Sequence, residues 1–187
     1  MTDKIEQIID AHQRLVCEFR QRGVAAVRDA ARMIAECFKR GGCLYLCGNG
    51  GSAADAQHLA GEFVGRFRRN RRPLPAVALS ADTSVLTCVG NDFAFEDVFA
   101  RQVQAMVGAD DVLWAFSTSG ASPNVLAAAS AAREKGARII AFTGRLDTPL
   151  QEIADVCLTV DAPAAAAAQE VHVLAYHIIC ELVDDSL

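Results

Sequence analysis

Leu44-Tyr-Leu-Cys-Gly48-Asn-Gly-Gly-Ser52-Ala-Ala-Asp-Ala-Gln-His58-Leu-Ala-Gly-Glu62-Phe-Val-Gly-Arg-Phe67 reads as a short apolar strand, a glycine turn and a helix. Glycines in the turn, Gly48 to Ser52, let backbone N–H groups approach a ligand closely, and the helix start adds a positive dipole end. His58 and Glu62 stand four residues apart, on one face of the helix. An anion cradle and a pair of metal- or proton-binding groups therefore lie within one strand–turn–helix unit.

Outward from this unit the chain alternates. Apolar runs predict strands at 43–47, 75–79, 111–116, 137–142 and 156–160. Helical patterns fill the gaps at 52–66, 84–89, 95–107, 123–135 and 149–154, and a last helix runs over 165–185. Apolar strands separated by helices predict an α/β fold: a three-layer αβα sandwich around a doubly wound, five-stranded parallel sheet. Ligands in such sheets bind at the carboxyl ends of the strands. Ahead of the first strand, Ile5, Ile8, Ile9, Leu15, Val16 and Phe19 mark one helical stripe, and a second helix covers 24–39 until Gly41-Gly42 stops it. This pair either covers a sheet face or forms a seam with another copy of the chain, and the seam is the favoured reading. The expected organisation is one domain over residues 1–187, with residues 1–40 as the helical pair and 41–187 as the core.

Composition narrows the function classes. The chain has 187 residues, a net charge of −5 and a hydrophobic fraction of 52%, enough for a substantial core. Its acidity argues against a nucleic-acid partner. Apolar runs are too short to span a bilayer, and the first residues do not read as a signal peptide. Seven cysteines without a Cys-x-x-Cys pair are expected as reduced thiols in the cytoplasm.

Four places carry candidate chemistry. Gly48-x-Gly50-x-x-Ala53 matches a loose dinucleotide fingerprint, but Arg68-Arg-Asn-Arg-Arg72 stands where that fingerprint needs an acid, so a cradle for another phosphorylated or polyhydroxyl ligand remains. The strand at 111–116 runs into Ser117-Thr-Ser-Gly-Ala-Ser122-Pro123. Pro123 suits the first helical position and Ser122 the N-cap, leaving Ser117, Thr118 and Ser119 to hold a phosphate dianion. Asn91-Asp92 is read as a turn between helices on the same rim, either a plain turn or a carboxylate for a sugar hydroxyl. The last helix offers Gln169, His172 and His177 near one face, yet Gln169 and His177 would lie roughly 12 Å apart along a regular axis. One metal is then within reach of both only with an irregular helix, converging side chains or a second copy of the chain. The arginine run at 66–72 reads as a helix end and loop that suits the dipole, or as an attractor for an anionic substrate.

Taken together, Cys47-Gly-Asn-Gly-Gly-Ser52, Asp55-Ala-Gln-His58 with Glu62, Cys88-Val-Gly-Asn-Asp-Phe93, Ser117-Thr-Ser-Gly-Ala-Ser122, Ala131-Ala-Arg-Glu-Lys-Gly136 and Gln169-Glu-Val-His172 with His177 resemble the SIS (sugar isomerase) domain family, over nearly the whole chain. Within it the chain is most similar to the branch that isomerises seven-carbon sugar phosphates. The resemblance implies a flavodoxin-like SIS fold and an aldose–ketose isomerase converting D-sedoheptulose 7-phosphate to D-glycero-D-manno-heptose 7-phosphate through an enediol, on the route to the ADP-heptose of lipopolysaccharide core. It further implies one zinc ion per subunit on His58, Glu62, Gln169 and His177. Glu62 and His177 are the implied catalytic base and acid. Substrate contacts are implied for Asn49, Gly50, Gly51, Ser52, Glu62, Asn91, Asp92, Ser117, Thr118, Ser119, Ser122 and Gln169, in a homotetramer with sites at subunit interfaces. Two stretches depart from the family's pattern and bear on substrate identity: the alanines before Gln169, where relatives carry polar residues, and Arg145-Leu-Asp-Thr-Pro149, where relatives usually have an Asp-Gly-Gly turn. The competing readings are a non-catalytic SIS binding protein, like the DnaA initiator-associating protein, and a sensor that binds sugar phosphate without turnover. Glu62 and His177, typically lost in the non-catalytic branch, favour the enzyme.

Overall fold

The structure is a computed structural model that describes residues 2–187; Met1, the first residue of the expected helical pair, lies outside them. The chain runs α1 (Thr2–Arg22), α2 (Val24–Lys39), β1 (Leu44–Gly48), α3 (Gly51–Val64), β2 (Ala76–Ala78), α4 (Thr83–Asp92), a 3-10 turn (Phe95–Asp97), α5 (Ala100–Met106), β3 (Val112–Ser117), α6 (Pro123–Glu134), β4 (Arg138–Thr143), α7 (Pro149–Ile153), β5 (Val156–Thr159) and α8 (Ala165–Ser186). The five strands pair in parallel in the order β2-β1-β3-β4-β5, the doubly wound arrangement expected. No helix among the described residues is long and apolar enough to cross a membrane.

Strand residues alternate between two apolar layers. Leu44, Leu46, Trp114, Phe116, Ile140 and Phe142 face the layer built with α2, α3 and α8. Tyr45, Cys47, Leu113, Ala115, Ile139 and Ala141 face the layer built with α5 and α6. The cysteines are free thiols, and burial pushes the Cys47 thiol up to about 12, so it serves as a small apolar filler.

One helical expectation is corrected. Residues 95–107 do not form a continuous helix, because the chain breaks between the 3-10 turn and α5. Upstream, the Asp82 carboxylate accepts from the Val85 N–H at 3.0 Å and caps α4, which then continues through Asp92. Asn91 and Asp92 therefore belong to the last turn of a helix, not to a separate turn between helices.

The two leading helices divide the roles offered to them. Val27, Ala30, Ile34 and Phe38 of α2 are buried and cover the sheet beside α8. In α1, Leu15 is buried while Ile5, Ile8 and Ile9 are each more than half exposed. The arginine run fastens the α3–β2 connection to the end of α8: Arg68 pairs with Glu181 at 2.9 Å, Arg69 with Asp185 at 2.5 Å and Arg71 with Asp184 at 2.6 Å.

His172, one of the three polar candidates on α8, is wholly buried against the sheet. Its Nε2–H donates to the Thr143 carbonyl at 3.0 Å, and among the described residues its Nδ1 has no partner. Desolvation pulls its pKa from 6.5 down to about 4. Between those values the unfolded chain binds a proton that the folded chain refuses, so stability falls as pH falls from 6.5 to 4. The loss attributable to this one group is about 3 kcal/mol. His172→Gln keeps a donor for Thr143, and urea unfolding at a series of pH values is expected to show that this share of the acid sensitivity has gone. Parallel wild-type and variant profiles over the window would exclude it.

Candidate functional site

The sheet reverses its winding between β1 and β3, where the parallel crossovers leave on opposite faces and open a crevice. The register pairs Gly48 with Phe116, so the glycine turn after β1 and the serine loop after β3 emerge side by side. Asn49 and Asn124 lock the two together. Each side-chain amide donates to the other's carbonyl oxygen at 2.8 Å, and Asn124 is buried. Asn49 thus uses one donor and one acceptor of its amide within the protein.

Three hydroxyls gather in the serine loop. Ser117 Oγ lies 2.9 Å from Ser122 Oγ and 3.3 Å from Ser119 Oγ, and Ser119 Oγ accepts from the Ala121 N–H at 3.3 Å. Ser122 holds the N-cap position with Pro123 behind it, as expected, but its hydroxyl turns to Ser117 instead of capping α6. Pro123 has no N–H, and Val125 and Leu126 donate to the Ser122 carbonyl at 3.1 and 3.0 Å, so among the described residues the Asn124 N–H is the group at the start of α6 left for a ligand. Gly120 sets the curvature: its φ is +63°, and a Cβ there would lie 2.3 Å from Thr148. A cavity of about 190 Å³ opens beside this loop, lined by Thr118, Ser119, Gly144, Arg145, Pro163 and Ala168. Both stretches that depart from the family's pattern contribute to that lining. Arg145 brings a cation to it that spacing alone did not single out.

A second cluster lies further along α3. His58 Nε2 is 3.1 Å from Glu62 Oε1, and the donor atoms of His58, Glu62 and His177 all lie within 4.8 Å of one another. His177 arrives from α8 with Phe67 stacked on its ring at 5.4 Å between centroids. Desolvation, then the neighbouring His58, lowers the His177 pKa, so its imidazole is neutral at pH 7 and carries a lone pair. Two imidazoles and one carboxylate at this spacing fit a transition-metal ion with an open position. They fit equally a pair of groups that moves protons. Behind them the buried Tyr176 hydroxyl reaches His58 Nδ1 at 3.1 Å and Asp55 Oδ1 at 3.4 Å, and burial raises the Asp55 pKa.

Other candidates are placed elsewhere. Gln169 stands in the first turns of α8. Its Nε2 lies 3.5 Å from Ser52 Oγ, and a Cβ on Gly51 would come within 2.5 Å of that nitrogen. α3 and α8 run alongside each other, and eight residues of helix separate the turn holding Gln169 from the turn holding His177. Ser52 and Gly51 accompany Gln169 at the start of α3, next to Gly50. Asn91 and Asp92 are exposed on α4 and bond to each other, Asn91 Nδ2 donating to Asp92 Oδ1 at 2.8 Å. Asp55, Tyr176, Asn124 and Arg145 escaped the motif reading. For Asp55 a signal existed, because it shares a helix face with His58 three residues on.

Comparison with known proteins agrees with this arrangement. Residues 7–144 match the family model described as the SIS domain. The phosphoheptose isomerase of Roseiflexus sp. is 48% identical over 99% of this chain and 92% of its own. That of Synechocystis sp. is 46% identical over 100% of this chain and 95% of its own. Among solved structures, phosphoheptose isomerases from Neisseria gonorrhoeae (40% identity, TM-score 0.93) and Francisella tularensis (35% identity, TM-score 0.94) each superpose over 98% of both chains. Crevice, serine loop and full-length similarity together show that the chain belongs to the SIS domain family, among its phosphoheptose isomerases.

Proposed function

We propose that the protein is a sugar-phosphate isomerase that interconverts D-sedoheptulose 7-phosphate and D-glycero-D-manno-heptose 7-phosphate, supplying the seven-carbon precursor of ADP-heptose. The observation that carries this reading is the meeting of Glu62 with His58 and His177 in a chain so similar to phosphoheptose isomerases. Moving a carbonyl from C2 to C1 requires one proton to leave C1 and one to arrive at C2. A second proton passes between the two oxygens. Glu62 is the proposed base for the carbon-bound proton, and neutral His177 serves the oxygens through the enediol. Zinc on His58, Glu62 and His177 would polarise the carbonyl and offset charge on the enediolate. Gln169 is the proposed fourth ligand; its side chain lies beside Ser52 in its own chain, and ligation from another copy or after a change of side-chain conformation is part of the proposal.

For the phosphate we assign Ser117, Thr118, Ser119 and Ser122, with the α6 N-terminus behind them. Asn49, Gly50, Gly51, Ser52, Asn91 and Asp92 are assigned to the hydroxyl chain. The double variant Ser119→Ala/Ser122→Ala is expected to raise KM on the order of a hundredfold, through two lost hydrogen bonds to a dianion. Inhibition by inorganic phosphate should weaken in parallel. An unchanged KM would remove the phosphate role.

We further propose a homotetramer. Ile5, Ile8 and Ile9 are exposed on α1, and further along it a groove of about 410 Å³ between α1, α2 and α8 is lined by Val16, Phe19, Leu174 and Ile178 with Arg20 and Arg28. Such an apolar face is stable in water when a second copy covers it. The assay that decides the function is zinc-replete protein with sedoheptulose 7-phosphate, followed by separation of the aldoheptose 7-phosphate. Binding without product would leave the sensor or binding-module reading. Neither is favoured by the retained Glu62 and His177.

A further inference from the structure

We propose that Asp55 and Tyr176 are positioning residues: through one hydrogen-bond chain they hold His58 as its Nδ1–H tautomer and keep its Nε2 lone pair directed at a cation shared with Glu62 and His177. The inference rests on the metal reading of the preceding subsection and adds two residues to it.

The argument is one of counting protons. Tyr176 is fully buried, so its hydroxyl takes its partners from the protein. That hydroxyl has one proton and two neighbours that can accept it, Asp55 Oδ1 at 3.4 Å and His58 Nδ1 at 3.1 Å. As a carboxylate, Asp55 can only accept. Among the described residues its Oδ2 is buried without a partner, and Tyr176 is the donor available to its Oδ1. Giving the proton to His58 instead would leave Asp55, whose Oδ2 is already buried without a partner, with no protein donor at Oδ1 either. Glu62 is less demanding, because among the described residues neither of its carboxylate oxygens is buried without a partner, whereas Asp55 Oδ2 is. The tyrosine proton therefore goes to Asp55, and the phenolic oxygen accepts Nδ1–H from His58. That leaves His58 Nε2 as a lone pair, 3.1 Å from the Glu62 oxygen. Two acceptors facing each other at that distance repel unless a cation lies between them. The hydrogen-bond chain thus prepares the cluster for a positive ion before any arrives. Phe67, stacked on His177, restrains the plane of the second imidazole from the other side.

The test uses the full chain and zinc as the probe. Affinity is measured by competition with a chromophoric chelator, and the His58 tautomer by nitrogen-15 NMR of histidine-labelled protein with and without zinc. Tyr176→Phe is expected to weaken zinc binding ten- to a hundredfold. It is also expected to move the proton of metal-free His58 from Nδ1 towards Nε2. Asp55→Asn should act in the same direction, because its amide can donate to the phenolic oxygen and turn the tyrosine proton onto Nδ1. Since Asp55 acts through Tyr176, the double variant should bind zinc no more weakly than Tyr176→Phe alone. Unchanged affinity in both variants, additive losses in the double variant, or an Nε2-protonated His58 in the metal-free wild type would each overturn the assignment. Should Tyr176→Phe fail to fold, Asp55→Asn retains the buried ring and carries the test. A wild type without measurable zinc affinity would sink the metal reading alone, and the tautomer in the metal-free protein would still decide for or against the relay.

Discussion

Glu62→Gln is expected to lower kcat/KM for sedoheptulose 7-phosphate about a thousandfold, within the range that one general base contributes. The substitution keeps the length and shape of the side chain. It leaves untouched the Glu62 carbonyl, which accepts from Arg71 Nη2 at 3.0 Å and belongs to the end of α3. What it removes is the charge proposed to take the C1 proton. Exchange of that proton with deuterated water should stop along with turnover, while inorganic phosphate still binds at the serine loop. Because Glu62 is proposed both as base and as metal ligand, the assay is repeated at saturating zinc. A loss that persists there belongs to proton transfer, and one that recovers belongs to ligation. A variant retaining more than about a tenth of wild-type turnover would remove Glu62 from the base role, since a replaced base costs at least about a hundredfold.

The strands were legible because both sheet faces are covered. Each strand is therefore a continuous apolar run, and such runs flanked by helices allow few topologies. Which residues face which layer was not legible, since Trp114 and Leu113 are equally apolar and only the packed helices distinguish them. Hydroxyls and glycines announced the two turns for a similar reason: their backbone demands are local. Partners brought from a distance were invisible. Asn124 meets Asn49 across 75 positions and Tyr176 meets Asp55 across 121, and neither pair has a spacing rule. Ser122 shows a subtler failure. The capping pattern placed the residue correctly, but Ser117 offers its hydroxyl a competing partner that only the folded loop supplies. Gln169 likewise meets Ser52 across 117 positions.

Arg71→Met is expected to destabilise the chain by about 3–5 kcal/mol, the range for removing one partner of a buried ion pair. Arg71 and Asp184 meet at 2.6 Å with side-chain exposures of 13% and 3%, so water cannot replace the guanidinium. Asp184 Oδ2 has no other partner among the described residues, which leaves a stranded carboxylate once the cation is gone. The arginine also donates to the Phe63 carbonyl at 2.8 Å and to the Glu62 carbonyl at 3.0 Å. These are among the last α3 carbonyls, which have no helical donor of their own. The urea midpoint of Arg71→Met should therefore fall sharply. The double variant Arg71→Met/Asp184→Leu should recover most of the loss, because it removes the stranded charge as well. Activity should not recover in step with stability, since the Glu62 carbonyl loses its donor while Phe63 keeps the Leu74 N–H at 3.0 Å, which loosens the helix end at Glu62. If the double variant were as unstable as the single one, the helix-end hydrogen bonds rather than the ion pair would account for the destabilisation. A single variant losing less than about 1 kcal/mol, the scale of an exposed pair, would show that the buried pair does not hold α3 to α8.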